Sequence, residues 1–342
     1  MDLRSFLLRR VFHSIFVVVG ISIVIFCIAR LVPGDPARMA LGEEAPDEVV
    51  ERLRQEMHLD KPIYEQYYYW LTGVLRGDFG RSLVTHQPVL QDIKETLPAT
   101  MEIALVAGVI MVVLSIILGS IAAWYRDTVI DGIIRVMAYF GVAIPGFVVA
   151  TVFILVFGYY WHVLPVLGRL SSNISVPPRV TGLLLVDSLI AGNMVAFKDA
   201  LLHLLLPASS VAMASTFQAA RITRSSMVDN MQRDFVAAER GYGIPERRIA
   251  LRYLLKPSLI PTVSVLGLSL ANIIETSFLV ELIFNWPGIS RYGMQAILSK
   301  DLNAISGVVV IAGLGFAVAN VIVDLVVANL DPRIRLGGVK GA

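Results

Sequence analysis

Apolar residues along this chain gather into six long blocks instead of alternating with polar ones: roughly Val11–Ala29, Pro98–Ala123, Ile133–Tyr159, Leu201–Ile222, Leu259–Phe284 and Ala304–Asn329. An α-helix needs about 20 mainly apolar residues to cross a hydrocarbon core, and each block is about that long or longer. In lipid, backbone N–H and C=O groups find no water, so helices that satisfy those groups internally are the predicted form. The first block follows Arg4, Arg9 and Arg10, and no small-residue cleavage site closes a short apolar core. It is therefore read as a retained span and not as a leader peptide.

The stretches between the blocks carry their own patterns. In PDEVVERLRQEM, Pro46 suits a first helical position, Asp47 and Glu48 fall in the first turn, and Val49, Val50, Leu53 and Met57 share one face, which predicts a helix. Tyr64, Tyr67, Tyr68, Leu71 and Leu75 form a second stripe at helical spacing, either an aromatic belt on the membrane or a docking surface, and GDFG at 77–80 predicts a turn. Trp161–Ala200, with SVPPRVTG, is predicted to be mostly irregular. Between the fourth and fifth blocks, helical propensity runs through MVDNMQRDFVAAER until Gly241 and Gly243 interrupt it. The proline after Ile244 turns that residue away from helical geometry, and Pro245 opens a second helix that continues to Pro257. Helix, glycine turn, helix is the expected product.

Composition fits only one class. Hydrophobic residues make up 56% of 342, charged residues 16%, and the mean hydropathy is +0.70, which excludes an ordinary soluble domain. An all-α polytopic membrane protein of six transmembrane helices is the expected fold class. A net charge of +2 offers no field for nucleic acid. Cys27 stands alone, so no internal disulfide forms, and His13, His58, His86, His162 and His203 are scattered without metal-ligand spacing, so no metal site is expected. The chain has no GxxxxGK[ST] phosphate loop, so it is not expected to hydrolyse ATP.

Charge placement gives orientation. Arg221–Lys256 carries eight basic residues, Arg126 and Arg135 follow the second block, and Arg333, Arg335 and Lys340 lie in the tail. The positive-inside rule puts all three with the N-terminus in the cytoplasm. Leu31–Thr96 has seven basic and twelve acidic residues but is too long for that rule, so parity alone places it outside.

One block breaks the apolar pattern. Ser269, Asn272 and Glu275 recur every three residues, with Thr276 beside the last, so polar groups share one helix face near mid-depth. A carboxylate there costs roughly 2.5 kcal/mol or more, which makes the row either a lining of the translocation path or a buried pairing with a partner. Glu281, Trp286, Pro287 and Gly288 fall where the fifth block leaves the membrane; they are read as interfacial anchor and turn, or as an outer gate or docking site.

FVAAERGYGIPERRIALRYLLKPSLIP is similar to the coupling loop of ABC-importer permeases, a Glu-Ala-Ala-like stretch followed by a glycine and a terminal Ile/Leu-Pro. Ala237, Ala238 and Glu239 stand in the order Ala-Ala-Glu, which departs from the pattern at Glu239, while Gly243 matches the glycine and Ile260-Pro261 the end. Pro245, Arg247 and Arg248 fall inside the same loop. LVPGDPA, LDKPIYEQY, GDFGRSL, LPATMEIA, IPGF, FNWPGISRYG and NLDPRIR, in order over nearly the whole chain, narrow the resemblance to the B-type subunit of peptide/nickel-type permeases.

The resemblance implies a type I importer fold in the bacterial inner membrane. Residues 1–30 would form the cytoplasmic N-terminus and first span, 31–97 a periplasmic segment with short helices, and 98–342 the core permease domain with coupling loop 224–258. It implies a second homologous permease, two cytoplasmic ATP-binding subunits that hold ATP and Mg, and an external solute-binding protein as partners. No cofactor is expected in this chain itself. Where the family has small residues this chain has Glu275-Thr276, and Asp324 is expected to pair with an arginine. The expected cargo is di- or oligopeptides, with nickel chelates, glutathione or opine-like conjugates as alternatives. A passive channel or an intramembrane enzyme is the rival class, but neither accounts for the coupling loop.

Overall fold

The computed structural model describes residues 3–31, 36–42 and 44–330. Arg333, Arg335, Lys340, parts of LVPGDPA and NLDPRIR, and the side chains of Arg4, Arg9, Arg10 and Asp324 lie outside the described residues. The elements in chain order are α1 (Leu3–Leu31), α2 (Pro36–Leu41), α3 (Asp47–Glu56), α4 (Ile63–Leu75), α5 (Val89–Trp124), α6 (Val129–Ala143), α7 (Gly146–Phe153) and α8 (Leu184–Ile190). Then follow α9 (Met194–Met231), α10 (Asp234–Gly241), α11 (Glu246–Arg248), α12 (Leu255–Ala271), α13 (Ile273–Ile283), α14 (Ile289–Leu298) and α15 (Leu302–Leu330). Wider π-helical turns occupy Ile154–Tyr160 and Ile249–Leu254. Among the described residues no strand forms, so the all-α class holds.

Four stretches are long and apolar enough to cross a membrane: Val89–Trp124, Met194–Met231, Glu246–Leu270 and Leu302–Val323. A fifth span results if α6 and α7, with the π turn that follows, count as one, although they bend by 109°. Ile144 precedes Pro145 and takes an extended ψ of 123°, so α6 stops there, and Pro145 starts α7. Within α1, a helix of 29 residues, the apolar stretch among the described side chains is Ile15–Ile28. Among the described residues, five of the six predicted blocks thus correspond to four uninterrupted spans and one bent pair, and the first falls on α1.

The chain divides into two compact units, one built mainly from Ala99–Pro287 and the other from Arg10–Pro98 and Gly288–Ala317. In the first, α9 packs against α6, α7, α8, α12 and α13. Its 38 residues begin at Asn193, whose side chain accepts from the Ala196 N–H at 3.0 Å and caps the first turn. The interior is rich in small residues, including Ala99, Ala107, Ala150, Ala208, Ala212 and Ala219. Lipid tails are as apolar as the helices, so close packing drives association here, and small side chains permit it. At Gly119 of α5 a Cβ would sit 2.5 Å from Thr223 Cβ and 2.6 Å from the Ala220 carbonyl oxygen, a helix approach that only glycine allows.

In the second unit, the predicted 46–57 helix forms as α3, with Pro46 at its N-cap and Val50 buried. The tyrosine stripe forms α4 but divides between two faces. Tyr67 meets the Ser22 hydroxyl at 2.8 Å and Trp70 lies 5.6 Å from the Phe26 ring, whereas Tyr64, Tyr68 and Leu75 are exposed. Gly77 and Gly80 have φ of +83° and +79°, as a GDFG turn requires. Buried Asp301 accepts from the Ser82 hydroxyl and the Leu83 N–H, both at 2.7 Å, and Tyr292 donates to Asp92 at 2.9 Å. Burial and the bond to Asp92 push the Tyr292 phenol well above its usual value, so it stays a donor.

Candidate functional site

The coupling-segment residues, the polar row and Glu281, Trp286 and Pro287 all lie within Ala99–Pro287, while Gly288 caps α14 in the other unit. The coupling segment begins with a break the sequence did not predict: α9 ends at Met231 and Arg233 is extended, so DFVAAERG forms a separate helix, α10. Gly241 remains helical, and the interruption is at Gly243 alone, with φ +74°. The Ile244 N–H donates to the Glu239 carbonyl at 3.2 Å and the Gly243 N–H to the Arg240 carbonyl at 2.9 Å. These two bonds are a Schellman cap, which needs a left-handed residue at its centre. Ile244 then packs with Val236, Met227, Ile249 and Leu254 beside Ala123, fixing α10 to the end of the spans.

Across the turn, Arg240 grips Glu246 with two bonds of 2.7 and 3.2 Å, and Pro245 caps α11. The helix does not stop at Pro257. It widens into the π turn Ile249–Leu254 and continues as α12 through Pro257 and Pro261. Proline has no N–H for the carbonyl four residues back, and a π turn just upstream loosens the ladder where it would otherwise clash. Ala237, Ala238, Arg247, Arg248 and Tyr242 are exposed, Glu239 half-buried. Among the described residues no carboxylate pairs with Arg247 or Arg248, which leaves two free cations beside the turn.

The polar row coincides with a second break. Asn272, at φ −90° and ψ −2°, separates α12 from α13, and its N–H turns back to the Ser269 carbonyl at 3.2 Å. Thr276 spends its hydroxyl on the Ile273 carbonyl at 3.0 Å. Ser269 is half-buried, while Asn272, Glu275 and Thr276 are exposed, so the row turns away from this chain's own core. Among the described residues Glu275 has no ion-pair partner within the chain.

Glu281 and Trp286 occupy a different environment from the interfacial one read from the sequence: both are fully buried. The Trp286 indole N–H donates to the Ala99 carbonyl at 2.9 Å, and its backbone N–H to the Glu281 carbonyl at 2.8 Å. Pro287 is exposed and Gly288 buried. Around Trp286 stands a cluster the sequence reading missed. Arg169 lies 5.9 Å from the Trp286 ring and pairs with Glu102 at 2.7 Å, and Glu102 also accepts from the Leu185 N–H at 2.6 Å. Nearby, burial would raise the Asp187 carboxyl, but the Thr181 N–H and hydroxyl and the Gly182 N–H outweigh it and hold the carboxyl below its usual value. Of the Trp161–Ala200 stretch predicted to be mostly irregular, 161–183 is irregular and pinned down by these bonds, while α8 and the start of α9 at Met194 make the rest largely helical. Glu102 itself was the available signal, a lone carboxylate inside an apolar block.

At the opposite end of the spans, Asp131 of α6 is fully buried and takes both Arg224 bonds at 2.6 Å, with Arg135 at 3.6 Å. This pair joins α6 to α9 next to the coupling segment. The sequence does not show it, because the positive-inside rule counts Arg224 and Arg135 only as cytoplasmic charge.

A protein-family model described as a binding-protein-dependent transport system inner membrane component matches residues 115–336, and its N-terminal companion matches residues 3–104. The chain is 36% identical over 338 residues, 99% of each chain, to the probable D,D-dipeptide transport system permease protein of Escherichia coli K12. It is 32% identical to the dipeptide transport system permease protein of Alkalihalophilus pseudofirmus, over 97% of this chain and 99% of the relative. It is 34% identical to a putative peptide transport system permease protein of Brucella abortus, over the same shares.

Proposed function

The chain belongs to the binding-protein-dependent transport system inner membrane component family, and from that premise we propose that it carries di- or oligopeptides across the inner membrane by alternating access, driven by separate ATPase subunits that dock on α10 and its glycine turn. The carrying observation is the Schellman cap at Gly243. It ends α10 at a set turn, and Ala237 and Ala238 are exposed on that helix, as are Phe235 and Tyr242. Contact between α10 and the π turn gives docking there a direct route into α12.

The same reading includes six spans with both termini inside, the 1–30, 31–97 and 98–342 division, a second permease, and a solute-binding protein outside. ATP and Mg belong to the partner subunits. The peptide cargo is supported by the relatives, which are a probable D,D-dipeptide and a dipeptide transport system permease protein. The test is assembly. Purified alone, the chain is expected to hydrolyse no ATP, and activity should appear when the ATPase subunits are co-expressed and co-purify with it. Turnover by the isolated chain, with contaminants excluded, would overturn the reading.

Selectivity has its own test. Glu275 faces outward from the chain without an internal partner, so we assign it to the path, where it favours a cationic group such as a free peptide amine. At an effective dielectric of about 20, opposite charges about 4 Å apart attract by about 4 kcal/mol. Desolvating the two charges cancels most of that attraction, and with about 1.4 kcal/mol left Glu275→Gln is expected to reduce uptake of cationic peptides roughly tenfold more than that of neutral ones. Uptake assays with matched blocked and unblocked peptides measure this; equal losses, or loss of assembly, would instead mean pairing with the second permease.

A further inference from the structure

In the second unit a recess of about 370 Å³ opens beside the 80–86 turn, between α3 and the start of α15. Its lining divides by chemistry: Leu53, Met57 and Leu302 are apolar, while Arg81 and Lys300 bring two cations and His86 an imidazole. Among the described residues none of these three basic side chains forms an ion pair. The acid next to Lys300, Asp301, does not answer them. It is fully buried, and its oxygens accept from the Ser82 hydroxyl, the Leu83 N–H and the Ala304 N–H at 2.7, 2.7 and 3.1 Å. Asp78, the other acid beside the turn, accepts from the Gly80 N–H at 2.9 Å and lines a neighbouring recess, not this one.

The walls are held in place without a ligand. The Ser82 N–H donates to the Gln87 carbonyl at 2.9 Å, the His86 N–H to the Ser82 carbonyl at 3.1 Å, and the Asn303 side chain to the Arg81 carbonyl at 3.0 Å. A concave, mostly apolar site with a few convergent polar groups is the usual form of a small-ligand pocket. A small inorganic anion would leave the apolar wall bare. An aspartate or glutamate side chain of another protein carries its carboxylate at the tip, with no apolar group beside it. In the last residue of a free peptide, carboxylate and side chain diverge from one Cα, so one residue reaches the cations and the apolar wall together. A guanidinium fork matches a carboxylate in geometry as well as charge.

We propose that this recess binds the free carboxylate of a short peptide through Arg81 and Lys300, with the C-terminal side chain against Leu53, Met57 and Leu302. The inference rests on the peptide reading above and deepens it, adding a peptide site built from none of the residues assigned to the path.

The test uses the assembled importer in nanodiscs, without its solute-binding protein, titrated with alanyl-leucine or alanyl-leucinamide and read by saturation-transfer NMR. Alanyl-leucine is expected to bind, and the amide, which lacks the carboxylate charge, about tenfold more weakly. R81Q/K300Q should weaken the acid by about tenfold or more and leave the amide unchanged. R81K/K300R keeps both charges and should retain most of the preference for the acid, which separates a lost site from a misfolded chain. Alanyl-glycine, which leaves the apolar wall bare, should bind about fivefold more weakly than alanyl-leucine. Acetate at the peptide's own concentration should leave the peptide in place. Equal binding of acid and amide by the wild type, an unchanged preference in R81Q/K300Q, displacement by acetate, or capture of the solute-binding protein at a photo-crosslinking residue in place of His86 would each overturn the proposal. Uptake of alanyl-leucine by the complete wild-type importer is measured alongside: uptake with no preference for the acid sinks this site alone, whereas absence of peptide uptake sinks the cargo reading.

Discussion

Gly243→Val is expected to abolish transport while the protein still inserts and still receives its binding protein outside. Gly243 sits at φ +74°, a region that β-branched residues scarcely enter. Backbone strain of about 1–3 kcal/mol corresponds to a loss of roughly five- to 150-fold in the population holding the capped turn. Nothing in the chain lies within 4 Å of a Cβ built there, so the penalty is conformational and not a clash with neighbouring residues. A graded series follows. Asparagine tolerates left-handed backbone, so Gly243→Asn should keep most activity, Gly243→Ala less, and Gly243→Val least. Uptake, membrane abundance and ATPase co-purification measured on the same variants check this. Wild-type transport by Gly243→Val would remove the turn from the coupling path, and equal loss in Asn and Val would mean that a docked partner fills the open space.

Arg224→Ala is expected to prevent accumulation of the folded protein. It leaves Asp131, fully buried, without the guanidinium that takes both of its oxygens. Removing one partner of a buried pair costs about 3–5 kcal/mol, a large share of what holds a domain together. Removing both charges is far milder, since well-packed apolar groups replace a buried pair at little cost. Asp131→Leu with Arg224→Leu should therefore regain much of the abundance lost in either single variant. Detergent-solubilised yield and thermal unfolding across the four-member cycle measure the coupling; additive losses would mean the two side chains act independently.

The four long apolar helices were legible because hydropathy reports directly on what a bilayer accepts. Their breaks were less so. The bend at Ile144-Pro145 and the interruption at Asn272 fall inside apolar blocks, where hydropathy reads continuously across a change in backbone direction. At Gly243 the residue type itself carried the signal, and both the turn and its left-handed backbone follow from it. Trp286 was misplaced because an indole is equally suited to a membrane interface and to a protein interior that offers its N–H a carbonyl; the Ala99 carbonyl is 187 positions away in sequence. The Ser82–Asp301 bond, spanning 219 positions, was out of reach for the same reason. Glu102 and Asp131 could have been found by asking of every lone carboxylate in or beside an apolar block which cation neutralises it.

The length of α9 has a mechanical meaning. Its 38 residues make a rod of about 57 Å, well beyond the hydrocarbon core of about 30 Å that it crosses. At one end Asp199 holds the Ser171 N–H and hydroxyl at 2.8 Å, and at the other Arg224 holds Asp131 while Met227 enters the cluster under the coupling turn. Over such a span a tilt of about 10° carries one end roughly 10 Å relative to the other. Were α9 to turn as one body about its arginine-bearing end, that displacement at the far end would join the two faces of the membrane through a single lever, with Pro207 inside it as a place where the rod could give.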